Sequence, residues 1–174
     1  MLSTLKHIRD ALDRFTNLSG RLVSWLVLVL VILVSYDVTN RHLFQSGSIA
    51  IQEWEWHLFS LIFLLGAAYT LQQDDHVRLD LFYKSHFMND YRRAWINLLG
   101  SVFFLLPFCV LIIISSWPFI LQAYTSMEGS PDPGGLTHRW LLKAAIPGGF
   151  LLLIIQGISH ILTNLLYILT GERQ

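Results

Sequence analysis

The apolar residues of this chain are gathered into four long stretches that polar segments separate. The stretches cover residues 22–44, 49–71, 95–121 and 141–169 of the 174. A helix rises about 1.5 Å per residue, so roughly 20 apolar residues are enough to cross the hydrocarbon core of a bilayer. The pattern therefore predicts an all-α integral membrane protein with four transmembrane helices, which form a single membrane domain over residues 1–174. Pro107 lies inside the third stretch and predicts an interruption of that helix.

Residues 1–20 follow a different pattern, in which apolar side chains recur every three or four positions with charged side chains between them. The apolar positions are Leu2, Leu5, Ile8, Leu12 and Phe15. This periodicity predicts an amphipathic helix that lies on the membrane surface ahead of the first span. Residues 79–88 mix apolar and charged side chains in a similar way, and we expect them to lie in the same plane.

The basic residues predict how the helices are oriented. Four lysines and arginines precede the first span, one lies in the first loop, four in the second, two around the third and one in the tail. By the positive-inside rule both termini and the second loop are cytoplasmic, and the first and third loops face outward. A basic segment before an apolar run is also typical of a signal peptide, but no small-x-small cleavage site follows, so we interpret residues 22–44 as a retained span.

The composition and motifs exclude several classes of function. Charged residues make up 14% of the chain and the formal net charge is zero, so binding to nucleic acid has no support. No HExxH, CxxC, GxSxG or glycine-rich phosphate loop occurs, and we predict neither catalytic residues, nor a metal site, nor a cofactor. Only His57 and His160 lie inside helices where they could ligate a haem. Their depths differ by about 16 Å along the membrane normal, too far for one iron.

Charged residues in or beside a membrane span are costly, which makes them candidates for function. Asp37 and Arg41 are four residues apart and are expected to pair on one helical face. Glu53 and His57 share a face of the second helix, while Glu55 points elsewhere. We expect Glu53 to reach Arg41 across the short first loop and to join helices 1 and 2 or to contact another subunit. That interpretation is favoured over a direct part in moving ions.

Two separated motifs resemble a known family. The first is SIAIQEWEWHLFSLIFLLGAAYTLQQDDHVRLDLFY, residues 48–83. The second comprises Glu128, Ser130, Pro131, Pro133, Gly134, Gly135, Leu136, Arg139, Trp140, Lys143, Pro147, Phe150, Gln156, Gly157 and Ile158. Together they resemble the small permease subunit, the DctQ-like protein, of tripartite ATP-independent periplasmic (TRAP) transporters.

The resemblance implies a bacterial inner-membrane protein that works with partners. A large multi-span permease subunit would carry the sodium and substrate sites, a periplasmic binding protein would deliver an organic acid or related solute, and this chain would extend the fixed scaffold. Contacts to helices, lipids or the large subunit would be made by Asp37, Arg41, Glu53 and His57 on the outer side and by His76, Arg78 and Asp80 on the inner side. A stand-alone four-helix channel or exporter and a haem or quinone anchor remain as alternatives.

Overall fold

The computed structural model describes residues 2–73 and 89–171, and every regular element in these ranges is helical. The elements are α1 (Leu2–Phe44), α2 (Ile49–Gln72), α3 (Asp90–Gly100), a π-helical turn (Ser101–Leu105), α4 (Leu106–Thr125) and α5 (Trp140–Thr170). The all-α prediction is confirmed for these residues. The segment 79–88, which is expected to lie in the membrane plane, is outside the described residues, as are His76, Arg78 and Asp80.

Three helical segments of the described chain are long and apolar enough to cross a membrane. They are Leu2–Phe44, Asp90–Thr125 and Trp140–Thr170, the second of which joins α3, the π turn and α4. The helix α2 has 24 residues but is not among the three. Its first turns carry Glu53, Glu55 and His57, which lower its hydropathy. The lengths and apolar composition support a membrane protein, whereas the count of four spans stays a prediction.

The N-terminal amphipathic segment is not a separate surface helix, which differs from the prediction. Residues 2–44 form one continuous helix, whose buried positions include Thr16, Gly20 and Val23. No proline interrupts this segment, and Gly20 lies directly against the ring of Tyr69. A Cβ atom at position 20 would approach that ring to 2.3 Å. Packing against α2 therefore keeps the segment in line with the first span.

The helix α5 is central and contacts each of the other helices of the described chain. It approaches α2 closely at Gly149, where a Cβ atom would lie 2.5 Å from the carbonyl oxygen of Leu64. Small residues of this kind allow helix backbones to pack tightly in membranes. Along α1 and α4 many large apolar side chains, including Trp25, Ile32 and Ile114, remain exposed.

The interruption expected at Pro107 takes the form of the π turn. The N–H of Leu106 donates to the carbonyl of Ser101, five residues back, instead of four. Pro107 has no N–H and its ring crowds the preceding turn, which favours such a local widening of the helix. The turn brings Ser101 to a buried position beside α5.

Candidate functional site

A buried carboxylate on α2 fastens the loop between α4 and α5. Glu53 is 3% exposed, and both of its carboxylate oxygens accept hydrogen bonds from this loop. Oε1 accepts from the hydroxyl of Ser130, and Oε2 accepts from the backbone N–H of Leu136 at 2.5 Å. The two loop residues are also joined to each other, because Ser130 N–H donates to Leu136 C=O at 2.9 Å. Glu53 thus holds the base of a closed turn.

Two glycines allow the loop to close over Glu53. Gly134 has a φ of +83°, which side chains rarely adopt, and the N–H of Gly135 donates to Asp132 C=O at 3.0 Å. A Cβ atom at position 135 would lie 2.4 Å from Ser130 Oγ and 2.9 Å from Glu53 Oε2. Any side chain there would displace the carboxylate or the hydroxyl that binds it.

Aromatic and basic side chains continue this site along the same end of α2. The Nδ1 atom of His57 lies 2.5 Å from Glu53 C=O, and its ring stands edge-on to Trp56 with 5.5 Å between centroids. The guanidinium of Arg139 lies 5.5 Å from the centroid of Trp56, in cation–π range. Glu53 therefore binds the α4–α5 loop, and Trp56, about one turn further along α2, contacts Arg139 directly before α5.

The predicted partner of Glu53 is wrong, because Arg41 binds elsewhere. Arg41 pairs with Asp37 one turn earlier on α1, which confirms the i, i+4 pair expected from the sequence. Asp37 is fully buried, whereas the side chain of Arg41 is 44% exposed. Glu55, not Glu53, interacts electrostatically with this pair. The reason is the helical period: positions 53 and 55 differ by about 200° around α2, so only one can face α1.

A second ion pair connects the α4–α5 loop to α5. Lys143 Nζ lies 2.5 Å from Glu128 Oε2 and 3.8 Å from the centroid of the Phe119 ring on α4. The backbone N–H of Arg139 also donates to Glu128 C=O at 3.1 Å. Glu128 and Lys143 belong to the second sequence motif, but their pairing was not predicted.

The opposite end of the bundle has a polar junction that the sequence analysis missed. Asp13 Oδ1 accepts from Gln156 Nε2 at 3.1 Å and from Ser159 Oγ at 2.6 Å, and its backbone oxygen accepts from Gln72 Nε2 at 2.7 Å. One residue of α1 therefore binds both α2 and α5. The sequence feature that could have predicted this junction is the group of polar residues at positions 156, 159 and 160, inside the fourth apolar stretch.

The two histidines considered for haem have separate partners. His57 contacts Glu53 and Trp56, as described above, whereas His160 Nδ1 lies 3.0 Å from Ser101 Oγ of the π turn. Asn164 Nδ2 lies 3.4 Å from His160 Nε2. The contacts of His57 therefore lie within α2, whereas His160 joins α5 to the π turn. Within residues 2–73 and 89–171 no three His, Cys, Asp or Glu residues form a group that could hold a metal ion.

The predicted site residues that the structure describes form two groups. Asp37 and Arg41 lie together on α1, while Glu53, one turn from His57 on α2, binds the α4–α5 loop. Both groups consist of contacts within this chain. The arrangement positions helices and a loop and supplies no nucleophile or paired acid and base.

Comparison with known proteins places the chain in a family. No curated protein matches it. The family model described as tripartite ATP-independent periplasmic transporters, DctQ component, matches residues 30–166, which include the Asp37–Arg41 pair, Glu53 and the α4–α5 loop. The match extends over most of the chain, from the middle of α1 to near the end of α5. The chain therefore belongs to the DctQ component family of TRAP transporters, a membrane component of a transport system and not an enzyme.

Proposed function

We propose that this chain is the scaffold subunit of a TRAP-type uptake system. In this proposal it supports a large multi-span permease subunit that carries the sodium and substrate sites. A periplasmic binding protein delivers the solute, an organic acid or a related small molecule. The complex lies in the bacterial inner membrane, with four spans and both termini of this chain in the cytoplasm.

The observation that carries the scaffold role is that three buried or half-buried carboxylates are bound to other groups of this chain. Asp13, Asp37 and Glu53 each bind another group of this chain. A pathway for ions or substrate needs polar groups whose bonds are exchanged during each cycle. Asp13 joins three helices and Glu53 joins a helix to a loop, and such fixed contacts favour a rigid support instead.

The exposed apolar surface is compatible with contact to a partner inside the membrane. Large apolar side chains are exposed along α1, the π turn and α4, including Leu28, Phe104 and Leu111. In a membrane, lipid or another protein can cover such surface, so that its apolar side chains are not exposed to water. We propose that part of it contacts the large permease subunit.

Reconstitution tests the division of labour. Under an inward sodium gradient, liposomes that contain this chain alone should show no uptake of the solute. Liposomes with the large subunit and the binding protein should show uptake only when this chain is also present. Uptake by the isolated chain, or full uptake without it, would contradict the proposal.

The same preparations separate the two alternative functions. A channel or exporter would self-associate and pass solute without the large subunit. A haem anchor would show a Soret band after purification from haem-replete cells, and a quinone anchor would retain extractable quinone. Co-purification with a large hydrophobic subunit, at a fixed ratio and without these signals, is the outcome we expect.

A further inference from the structure

An open cleft of about 230 Å³ lies on the surface of α1, close in sequence to Asp13. Among the described residues, Arg14, Asn17, Leu18 and Arg21 line it. They recur at three- and four-residue spacing and so form one stripe of the helix. The two arginines are seven residues apart, which is two turns or about 10.5 Å along the axis. Their long side chains bound the cleft at its two ends.

The cleft is rich in positive charge, because two of its described lining residues are arginines. No residue in the ranges 2–73 and 89–171 forms a salt bridge with Arg14 or Arg21. Asp13 directly precedes Arg14, but its Oδ1 accepts hydrogen bonds from Gln156 and Ser159. Asp10 interacts electrostatically with Arg14 and is bound to Arg9 at 2.7 Å. Arg21 Nε donates to Asn17 Oδ1 at 3.0 Å, which leaves the terminal guanidinium nitrogens of Arg21 and the Asn17 amide N–H groups as donors.

The same stripe continues directly into exposed apolar surface. Leu18 is 59% exposed, and the next residues along the stripe, Leu22 and Trp25, are 62% and 67% exposed. Arg21 immediately precedes the apolar stretch that begins at residue 22. The cleft therefore lies at the boundary between the hydrocarbon and the headgroup layer, with donors on its polar side and bare apolar side chains on the other.

We propose that this cleft binds the headgroup of an anionic phospholipid, with an acyl chain along Leu22 and Trp25. Two guanidinium groups and a carboxamide N–H match the acceptor oxygens of a phosphodiester, to which arginine binds in a planar, bidentate manner. Two guanidinium groups that form no salt bridge with a described residue disfavour the cationic group of a zwitterionic headgroup. The site lies outside residues 30–166, which match the family, and does not depend on the transport function.

Fluorescence quenching by brominated lipids tests the proposal on the full chain in non-ionic detergent. The chain has six tryptophans, and Trp25 is the one beside the proposed acyl chain. The difference in quenching between the wild-type chain and Trp25→Phe therefore reports on this site. Brominated phosphatidylglycerol should quench Trp25 saturably and at about tenfold lower concentration than brominated phosphatidylcholine. Arg14→Gln and Arg21→Gln should each weaken the phosphatidylglycerol effect about tenfold, since each removes charge-assisted hydrogen bonds. Both arginines are exposed, so folding should be retained, which the melting temperature checks.

Lys6→Gln is the matched control, because it removes one positive charge from the same helix outside the cleft. It should leave the quenching midpoint within about twofold. An equal loss in Lys6→Gln would show diffuse attraction and overturn the site. Equal quenching by the two lipids would show that only the acyl chains contact this surface, and the headgroup proposal would be wrong. If inorganic phosphate instead raised the melting temperature of the wild-type chain but not of Arg14→Gln, with no preference between lipids, the cleft would bind a free anion and the lipid proposal would be wrong.

Discussion

Glu53 Oε2 accepts a hydrogen bond of 2.5 Å from the backbone N–H of Leu136, a residue 83 positions later in the chain. The bond connects the first turns of α2 to the loop that leads into α5. Because the second oxygen of the same carboxylate binds Ser130, a single side chain fastens both sides of the turn. The loop that is predicted to face outward therefore has a defined shape and can present a constant surface.

Replacing Glu53 should release the α4–α5 loop. Glu53→Gln retains one acceptor oxygen but turns an amide N–H₂ towards a donor, and Glu53→Ala removes both acceptors. Trypsin should cut after Arg139 several times faster in Glu53→Gln, and faster still in Glu53→Ala. Recovery of the intact complex with the large subunit should fall in the same order.

Glu55→Gln is the control, since Glu55 interacts with the Asp37–Arg41 pair and not with the loop. Its cleavage after Arg139 should equal that of the wild-type chain. Sodium dependence of uptake should be unchanged in whatever complex forms with the Glu53 variants. A changed sodium stoichiometry would instead assign Glu53 to the ion pathway.

Two adjacent glycines provide a test of the close approach between α2 and α5. A Cβ atom at position 149 would lie 2.5 Å from Leu64 C=O, whereas at position 148 it would have no atom within 4 Å. Gly149→Ala should lower the free energy of unfolding by about 1–3 kcal/mol, because the helices must separate. Gly148→Ala should not destabilise the chain, since alanine favours a helix more than glycine does. Thermal unfolding in detergent measures both, and equal effects would contradict the packing.

Asp13 should stabilise the junction of α1, α2 and α5. Asp13→Asn replaces a carboxylate oxygen that accepts two hydrogen bonds, from Gln156 and Ser159, with a neutral amide. We expect a loss of about 1–3 kcal/mol in the free energy of unfolding. Asp10→Asn, on the exposed side of the same helix, should leave the unfolding temperature unchanged. If both variants behaved alike, the polar junction would have no stabilising role.

The orientation of the chain can be tested with single cysteines. Asp132 and Ser46 are exposed on loops that are predicted to face outward, and Ser85 lies in the predicted cytoplasmic loop. In a background with Cys109→Ser, a membrane-impermeant thiol reagent should label Asp132→Cys and Ser46→Cys in intact cells. Ser85→Cys should react only after lysis, and the reverse pattern would invert the topology. Asp132 is preferred to Ser130 because the hydroxyl of Ser130 binds Glu53.

Much of the architecture follows from local pattern. The apolar stretches predicted helices close to the observed α2 and α5 and the C-terminal end of α1, and Pro107 predicted an interruption near the π turn. The i, i+4 spacing was sufficient to predict the Asp37–Arg41 pair, because both residues lie on one helix. The boundary of the surface segment was predicted wrongly, since amphipathic periodicity does not reveal whether a helix lies on lipid or packs against its neighbours.

The sequence by itself determined the class of structure, the helices and the contacts within one helix, because hydrophobic length and helical period act over a few residues. The tertiary structure decided which distant groups meet: Glu53 with Leu136 instead of Arg41, and Asp13 with Gln156 and Ser159. Such pairs depend on how helices rotate and approach one another. That packing follows from close contacts such as Gly149 with Leu64, whose partners cannot be identified from spacing along the chain.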